Sequence, residues 1–245
     1  MALLWEKRAG GVCYQVRTAG NTVRLYTNGV LHTQYNPTRL LTGSVWDLLL
    51  LGALFVPRER MRRVLLLGVG GGAIIHQLRQ VFPAVQVTGI ELNPVHIAIA
   101  RRFFGVQGTQ VEMVCENAIT WLTMYDGEPF DLIIDDLFGE RDGVPCRAVA
   151  ADADWFDLLA THLAADGVLV TNFADRREVR ACAWQHSRGL RRRFPAAISL
   201  ATPHCENRVV AFLPRLPDPE VLRAARAADA RLRGRQLCFS ARRLR

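Results

Sequence analysis

The stretch RVLLLGVGGGAIIHQLRQVFPAVQVTGIELNP, residues 63–94, decides the fold class of this chain. It begins with a short apolar run at Val64–Leu67, which is typical of a strand buried on both faces of a parallel sheet. A glycine turn at residues 68–72 leads into a helical pattern from Ala73 and then a second strand that ends in Glu91. Because a turn without β-carbons lets a ligand approach the backbone above a helix N-terminus, this order predicts a nucleoside-binding unit.

The spacing of the glycines and the acid supports this prediction. The run from Gly68 through Gly70 to Ala73 fits the dinucleotide fingerprint in its Gly/Ala form. Glu91 follows Gly68 by 91 − 68 = 23 residues, near the ~20 at which an acid holds ribose hydroxyls. The alternative is a tight turn with a solvated Glu91. We expect ligand contacts at Gly68, Gly70, Gly71, Gly72 and Glu91.

Composition limits the possible classes. The chain has 245 residues and is 50% hydrophobic, enough for one main domain with a small appendage. No apolar run reaches the ~18 residues of a membrane span, and the start of the chain lacks a signal-peptide pattern. Its six cysteines show no paired spacing. We therefore expect a cytoplasmic protein with no metal site and no disulfide framework.

The net charge of +8 comes almost wholly from arginine, since Lys7 is the only lysine. Arginine favours bidentate contacts with phosphate or carboxylate. The basic runs at residues 188–193 and 223–245 nevertheless lack interleaved aromatic residues and match no nucleic-acid-binding motif. A nucleic-acid partner is therefore disfavoured without being excluded, and a lysine Schiff-base mechanism would require Lys7 itself.

The order of elements predicts four segments. Three short β-forming runs with turn signals between them indicate a small antiparallel β unit at residues 1–37. A connecting helix is expected within 38–62 and a Rossmann-like nucleoside-binding domain at 63–214. The alanine- and arginine-rich residues 215–245 are expected to form a helical tail.

The main domain is expected to be a doubly wound α/β sheet that ends in an antiparallel hairpin. Five apolar strand patterns alternate with helical ones up to residue 172, and two further runs follow at Ala197–Ala201 and Arg208–Leu213. The six residues between those runs suit a hairpin and are too few for a helical crossover. This order is the class I S-adenosylmethionine methyltransferase pattern and differs from the all-parallel nicotinamide domain, although topology alone does not establish function.

Over residues 23–214 the chain also resembles the spermidine synthase (polyamine aminopropyltransferase) family. The resemblance implies that fold, a small N-terminal β domain and a homodimer; the β unit's edges are compatible with pairing. It is carried by the turn Tyr26–Val30, the glycine loop Val64–Ala73, the ribose segment Gly89–Pro94, the helix Ala100–Phe104, the acidic strand Phe130–Asp136 and the segment Ala165–Leu169.

The departures from the family pattern concern its chemistry. Gly71 stands where the family loop has an aspartate, and Asn117-Ala118 replace its adenine-binding Asp-Ala. An amide at Asn117 is expected to hydrogen-bond the amino group of the base, although a helix cap is the alternative. The family's Asp-Ser-x-Asp loop keeps only its first acid, Asp136, with Glu140 one place late. Thr42–Ser44 stand where the family has Tyr-His-Glu.

These losses favour methyl transfer. Aminopropyl transfer needs an amine nucleophile that is neutral when it attacks. Several carboxylates and a tyrosine must bind both ammonium ends of the substrate and accept a proton. Methyl transfer from a sulfonium needs in-line positioning, with a base only where the nucleophile carries a proton. We therefore expect S-adenosylmethionine-dependent methyl transfer to an unidentified small molecule. The alternatives are aminopropyl transfer from decarboxylated S-adenosylmethionine to a polyamine, and a catalytically silent nucleoside-binding protein.

The candidate site combines the glycine loop with an acidic cluster at the carboxyl end of a strand, where open α/β sheets bind ligands. Asp136 is the expected catalytic residue, as a base or as a group that orients the nucleophile. The cluster also contains Asp135, Glu140 and Asp142, whose alternative role is to bind loop amides. The expected cofactor contacts are Gly68, Gly70, Gly71, Gly72, Glu91, Asn117, Ala118 and Asp135.

Overall fold

The computed structural model describes residues 1–141, 143–234 and 238–245. Asp142, from the predicted acidic cluster, lies outside these residues. The strands are β1 (Ala2–Ala9), β2 (Val12–Ala19), β3 (Thr22–Thr27), β4 (Val30–Tyr35), β5 (Arg63–Leu67), β6 (Gln86–Glu91), β7 (Val111–Cys115), β8 (Phe130–Asp135), β9 (Phe138–Arg141), β10 (Val144–Arg147), β11 (Leu163–Phe173), β12 (Ala196–Ala201), β13 (Arg208–Leu213) and β14 (Ser240–Arg243).

The helices alternate with the central strands. They are α1 (Val45–Ala53), α2 (Ala73–Val81), α3 (Pro94–Phe103), α4 (Ala118–Met124), α5 (Ala153–Thr161), α6 (Arg176–Ala181), α7 (Arg188–Arg193) and α8 (Val221–Ala228), with 3₁₀ turns at Ala183–Gln185 and Ala230–Arg233. Among the described residues, no helix is long and apolar enough to cross a membrane.

The central sheet confirms the predicted fold class. Its strand order is β14-β12-β13-β11-β8-β5-β6-β7. The five strands β5, β6, β7, β8 and β11 run parallel. The hairpin β12–β13 then joins β11 antiparallel. This placement follows because the short connection between β12 and β13 leaves no room for a crossover helix.

Helices cover both faces of the sheet, which is why the central strand β5 is apolar and buried from Val64 to Leu67. Successive side chains of a strand point to opposite faces. Leu66 accordingly packs with α1, α2 and α3, whereas Leu65 and Leu67 pack with α4 to α7. All three leucine side chains are fully buried.

The N-terminal unit is a separate antiparallel sheet of four strands in the order β1-β2-β3-β4. Asn28 and Gly29 both have positive φ, 49° and 82°, as expected of a tight two-residue hairpin turn. Strand β1 was not expected from the sequence. Its residues are mostly exposed, so this edge strand has no buried face and no alternating pattern to reveal it.

Three segments contain structure beyond the predicted order of elements. Residues 176–193 are divided into α6, a 3₁₀ turn and α7, because the backbone at Cys182 is extended, with φ −63° and ψ 149°. Residues 138–147 form the hairpin β9–β10. The tail is not wholly helical, since β14 pairs with the edge strand β12. The segment boundaries proposed from the sequence stay predictions.

Helix α1 lies against the sheet through a glycine. A Cβ atom at Gly52 would come within 2.9 Å of both methyl groups of Val170, which is fully buried in β11. The N-terminus of α1 is also fixed, because the buried Asp47 carboxylate accepts hydrogen bonds from the amides of Thr42 and Gly43. Close helix–sheet contact therefore depends on the missing side chain at residue 52.

We expect Gly52→Ala to lower the free energy of unfolding by about 1 kcal/mol, because overpacking outweighs the gain in helix propensity. Chemical denaturation measures this change. Gly189→Ala in α7 is the matched control, since its added Cβ meets only the Ser187 hydroxyl at 3.6 Å. If both variants gained stability equally, the inference that α1 packs too closely on β11 for a side chain at residue 52 would be contradicted.

Candidate functional site

A cavity of about 980 Å³ lies at the carboxyl edge of the parallel strands. The glycine loop after β5, Glu91 at the end of β6 and Asp136 after β8 form its floor. The N-terminal sheet and the hairpin β9–β10 form its other walls. Of the nine predicted site residues, those that line it are Gly68, Gly70, Glu91, Asn117, Ala118 and Asp136.

Gly68 brings two strand ends into contact. Its φ is +86°, and a Cβ there would overlap the backbone oxygen of Asp136. Glycine is thus required for packing beside Asp136 as well as for ligand access. Gly71 and Gly72 lie outside the cavity lining, and their Cβ positions face Thr33 and Val106 respectively; their expected ligand contacts stay predictions.

Glu91 holds the glycine loop in place. Its Oε2 accepts bonds from the amides of Val69 and Gly70, at 3.0 and 2.9 Å, and its Oε1 accepts one from Asn93 at 2.9 Å. The side chain is buried, and burial by itself would raise its pKa. His96 and these amides outweigh burial and lower the pKa of Glu91. Since Oε2 already has two partners, Oε1 is the atom left for a ligand hydroxyl.

Asn117 caps α4 with its side-chain oxygen. Its Oδ1 accepts bonds from the amides of Ile119 and Thr120, at 2.9 and 3.3 Å. That oxygen is occupied by the helix terminus, which is the alternative role expected for Asn117; its contact with the base stays a prediction. The group left for a ligand is the Nδ2 donor, beside the buried Ala118.

Asp135 is hydrogen-bonded to other protein groups, and its expected role in cofactor binding stays a prediction. It is fully buried, and its Oδ2 accepts bonds from Arg147 at 2.8 Å and from the Trp155 indole at 3.0 Å. It lies outside the cavity lining because neighbouring residues at the end of β8 point to opposite faces. Asp135 thus anchors the hairpin β9–β10 and α5 to the sheet.

Asp136 is the carboxyl group best placed for chemistry. Its Oδ1 accepts a 2.7 Å bond from Asn172, whose own Oδ1 accepts from Asn207 at 3.1 Å. Burial raises the pKa of Asp136 to about 7, and the neighbouring Asp135 carboxylate adds to the rise; the Asn172 bond and Arg147 oppose it. A carboxyl group of this pKa can accept or donate a proton near neutral pH.

Glu140 places a further carboxylate in the cavity lining. Its Oε2 accepts a 3.3 Å bond from Asn28 and its Oε1 a 3.1 Å bond from the Gly143 amide. The first bond joins the hairpin β9–β10 to the N-terminal sheet across the cavity entrance.

The N-terminal sheet brings residues to the cavity that sequence reasoning missed. His32 lies 5.1 Å from His96 between ring centroids, and Tyr14 meets His96 edge-on at 5.8 Å. The His96 Nε2 lies 2.8 Å from the Thr27 hydroxyl. Burial, followed by the charge of His96, lowers the pKa of His32 to about 4. These residues carry no local signal, because His96 is remote in sequence from Tyr14, Thr27 and His32.

Within the described residues, no cluster of His, Cys, Asp or Glu suits a metal ion.

Comparison with known proteins places this geometry in a fold family. Residues 64–151 match the model of a methyltransferase domain. Polyamine aminopropyltransferase 2 of Caldanaerobacter subterraneus is 29% identical over 91 residues, 36% of this chain and 30% of that protein. The crystal structure of a probable spermidine synthase from Corynebacterium glutamicum superposes with a TM-score of 0.71 at 16% identity, covering 90% of this chain and 82% of that chain.

A second solved structure, human Methyltransferase-like protein 13 in complex with SAH, has a TM-score of 0.64 at 19% identity and covers 78% of this chain and 92% of that chain. The chain therefore has the class I methyltransferase fold and resembles the spermidine synthases, as its sequence predicted. The alignments span only 28% to 42% of the curated relatives.

We expect the stability of the wild-type protein to fall relative to Asp136→Asn as the pH rises. The folded pKa of Asp136, about 7, exceeds the ordinary value of 3.8, so the folded state binds this proton more tightly than the unfolded state. The resulting stabilisation is complete below pH ~4, is lost between pH ~4 and ~7, and changes no further above that range.

Urea denaturation of both proteins from pH 4 to 8 measures the difference, which should reach at least ~1 kcal/mol. A difference that does not change with pH would contradict the assignment of a raised pKa to Asp136.

Proposed function

We propose that the chain is an S-adenosylmethionine-dependent methyltransferase that acts on a small molecule. The observation that carries the proposal is the position of Asp136, a half-buried carboxyl group of raised pKa beside the glycine loop and inside a large cavity. Within the described residues, its side chain is hydrogen-bonded by the Asn172 amide and not by a second acid. One such group suits methyl transfer better than the recognition of a doubly charged amine.

The residues present fit the nucleoside part of the cofactor. Glu91 Oε1 is available for ribose hydroxyls, and Asn117 Nδ2 is a donor suited to a ring nitrogen of the base. Gly68 and Gly70 allow the backbone to approach the ligand. The loop amides from Val69 to Gly71 are already bonded to Glu91 and Thr33, so we assign no contact between them and the cofactor's amino-acid end.

The preference for S-adenosylmethionine over its decarboxylated form does not rest on Gly71. The related family has an aspartate at this position, but a Cβ here would face Thr33 and Phe104, outside the cavity lining. The human neighbour in complex with SAH supports a cofactor of this type.

Mechanistically, the chain's own residues position the acceptor and handle its proton. When bound, S-adenosylmethionine supplies an electrophilic methyl group on a sulfonium. Asp136, held by Asn172, orients the nucleophile of the acceptor in line with that group and removes its proton where it carries one. The N-terminal sheet and the hairpin β9–β10 limit access of water to the cavity.

Aminopropyl transfer to a polyamine is the second candidate. It is favoured by Glu140, which lines the same cavity as Asp136, and by the partial likeness to a polyamine aminopropyltransferase. Against it, both oxygens of Glu140 already accept hydrogen bonds. A catalytically silent protein is disfavoured, since no side chain of the described residues fills the cavity of about 980 Å³.

Location and assembly belong to the same proposal. All six cysteines are free thiols, which supports a reducing cytoplasm. Leu3 and Leu4 are exposed on the edge strand β1, which supports a homodimer through the N-terminal sheet.

Calorimetric titration should show preferential binding of S-adenosylmethionine and S-adenosylhomocysteine over decarboxylated S-adenosylmethionine and NAD. We expect at least a tenfold difference in Kd, equivalent to about 1.4 kcal/mol. Preference for the decarboxylated compound would instead support polyamine synthesis. If no sulfur nucleoside binds, the proposed cofactor site is wrong.

We expect Asp136→Asn to reduce methyl transfer about 10²- to 10⁴-fold while the Kd of the cofactor changes little, because the base is lost and the nucleoside contacts are kept. Transfer of a labelled methyl group to a panel of small amines, thiols and hydroxy acids measures this, with Asp126→Asn, at an exposed residue, as the control.

Glu140→Gln separates methyl transfer from aminopropyl transfer, because only the aminopropyl mechanism requires the charge of Glu140. Equal activity of wild type and Asp136→Asn would refute the role of Asp136.

A further inference from the structure

A second concavity, of about 270 Å³, shares no lining residue with the cavity just described and is lined by arginines. Arg176 and Arg180 extend from α6, Arg208 begins β13, and Arg242 belongs to the edge strand β14. We call these residues the arginine groove. Four guanidinium groups from three separate elements thus surround one small space.

The sheet register explains why the groove exists. Arg242 pairs directly opposite Ser199 of β12, so both side chains leave the same face of the sheet at close range. Both residues line the groove. Val179 and Leu244 supply an apolar surface beside them. The groove therefore depends on β14, a strand that sequence reasoning did not predict.

The groove lacks compensating negative charge. Its described lining residues include no carboxylate, and the ion pairs found among the described residues involve none of its four arginines. Three acids lie close to these arginines in sequence: Asp175 accepts bonds from two amides at the start of α6, Glu178 accepts one from the Ala174 amide, and Glu206 is exposed.

One of the four guanidinium groups is held in position by the backbone. Arg208 Nη1 donates 2.8 Å bonds to the carbonyl oxygens of Glu206 and Asn207. Arg176, Arg180 and Arg242 are exposed, so their guanidinium groups can approach a ligand with little loss of packing. The four guanidinium groups repel one another because they carry the same charge. An anion bound between them is attracted to all four and offsets this repulsion.

We propose that the arginine groove binds a small phosphorylated molecule. The guanidinium fork matches the oxygens of a phosphate group bidentately, and the Ser199 hydroxyl adds a neutral donor. The volume lies just below the range of ~300–1,000 Å³ typical of sites for drug-sized ligands. No aromatic side chain stands among the described lining residues, which disfavours stacked nucleic-acid bases. The phosphate binds the arginines, and the apolar part of the ligand packs on Val179 and Leu244.

This inference does not rest on the proposed transferase activity. The full-length chain is titrated with inorganic pyrophosphate by calorimetry, and Arg180→Gln and Arg242→Gln are compared with wild type. Arg101→Gln in α3 is the matched control, since it removes one exposed positive charge outside the groove. We expect binding of one pyrophosphate, weakened at least about tenfold by each groove variant and little by Arg101→Gln.

Three results would overturn the proposal. The first is the absence of pyrophosphate binding in a low-salt buffer. The second is equal weakening by the groove variants and Arg101→Gln, because only the net charge would then matter. The third is tight binding of a 20-nucleotide RNA that pyrophosphate does not displace, which would make the groove a nucleic-acid surface. Circular dichroism of each variant verifies that the fold is retained.

Discussion

The cavity depends first on the carboxylate of Glu91. It accepts hydrogen bonds from two amides of the glycine loop and from one amide of the turn between β6 and α3. A buried carboxylate is stable only when such donors replace its water. Charge-assisted bonds therefore fix the geometry of the loop, and the same acid presents Oε1 to the cavity. The spacing of Glu91 from the glycines predicted ribose binding. The structure adds a second role for Glu91, which is to hold the glycine loop in place.

From this anchor the N-terminal sheet is held over the site. Thr33 accepts a 2.6 Å bond from the Gly71 amide, and the Tyr14 hydroxyl accepts one from Asn93 at 3.0 Å. Tyr14, Val16 and Leu25 also pack into the core shared by α1 and α2. The glycine at residue 71 is thus explained by close contact with the N-terminal sheet, since a Cβ there would lie 2.9 Å from the Thr33 methyl group. The contacts that hold the N-terminal sheet over the cavity are therefore made with the glycine loop and Asn93, which line or adjoin the cavity floor.

Periodicity and turn chemistry predicted much of this molecule because they are local signals. The strands β5 and β8, the glycine loop and the Asn28-Gly29 turn follow from neighbouring residues alone. Asp135 was assigned to the site because it adjoins Asp136, although alternation along a strand sends the two side chains to opposite faces. His32 and His96 meet only through tertiary packing, and β14 forms only because β12 offers an open edge. Neither relation has a signature in the sequence.

Overall charge is a poor guide to this protein because its charges are segregated. The chain carries a net charge of +8, yet the main cavity is lined by the acids Glu91, Glu116, Asp136 and Glu140 and by no arginine among the described residues. Local potential follows from the nearest groups, and a cleft lined by one sign of charge attracts ligands of the other. An acidic lining suits a sulfonium, whereas the arginine groove suits an anion. The basic composition that suggested nucleic acid is consistent with two small-molecule sites of opposite charge.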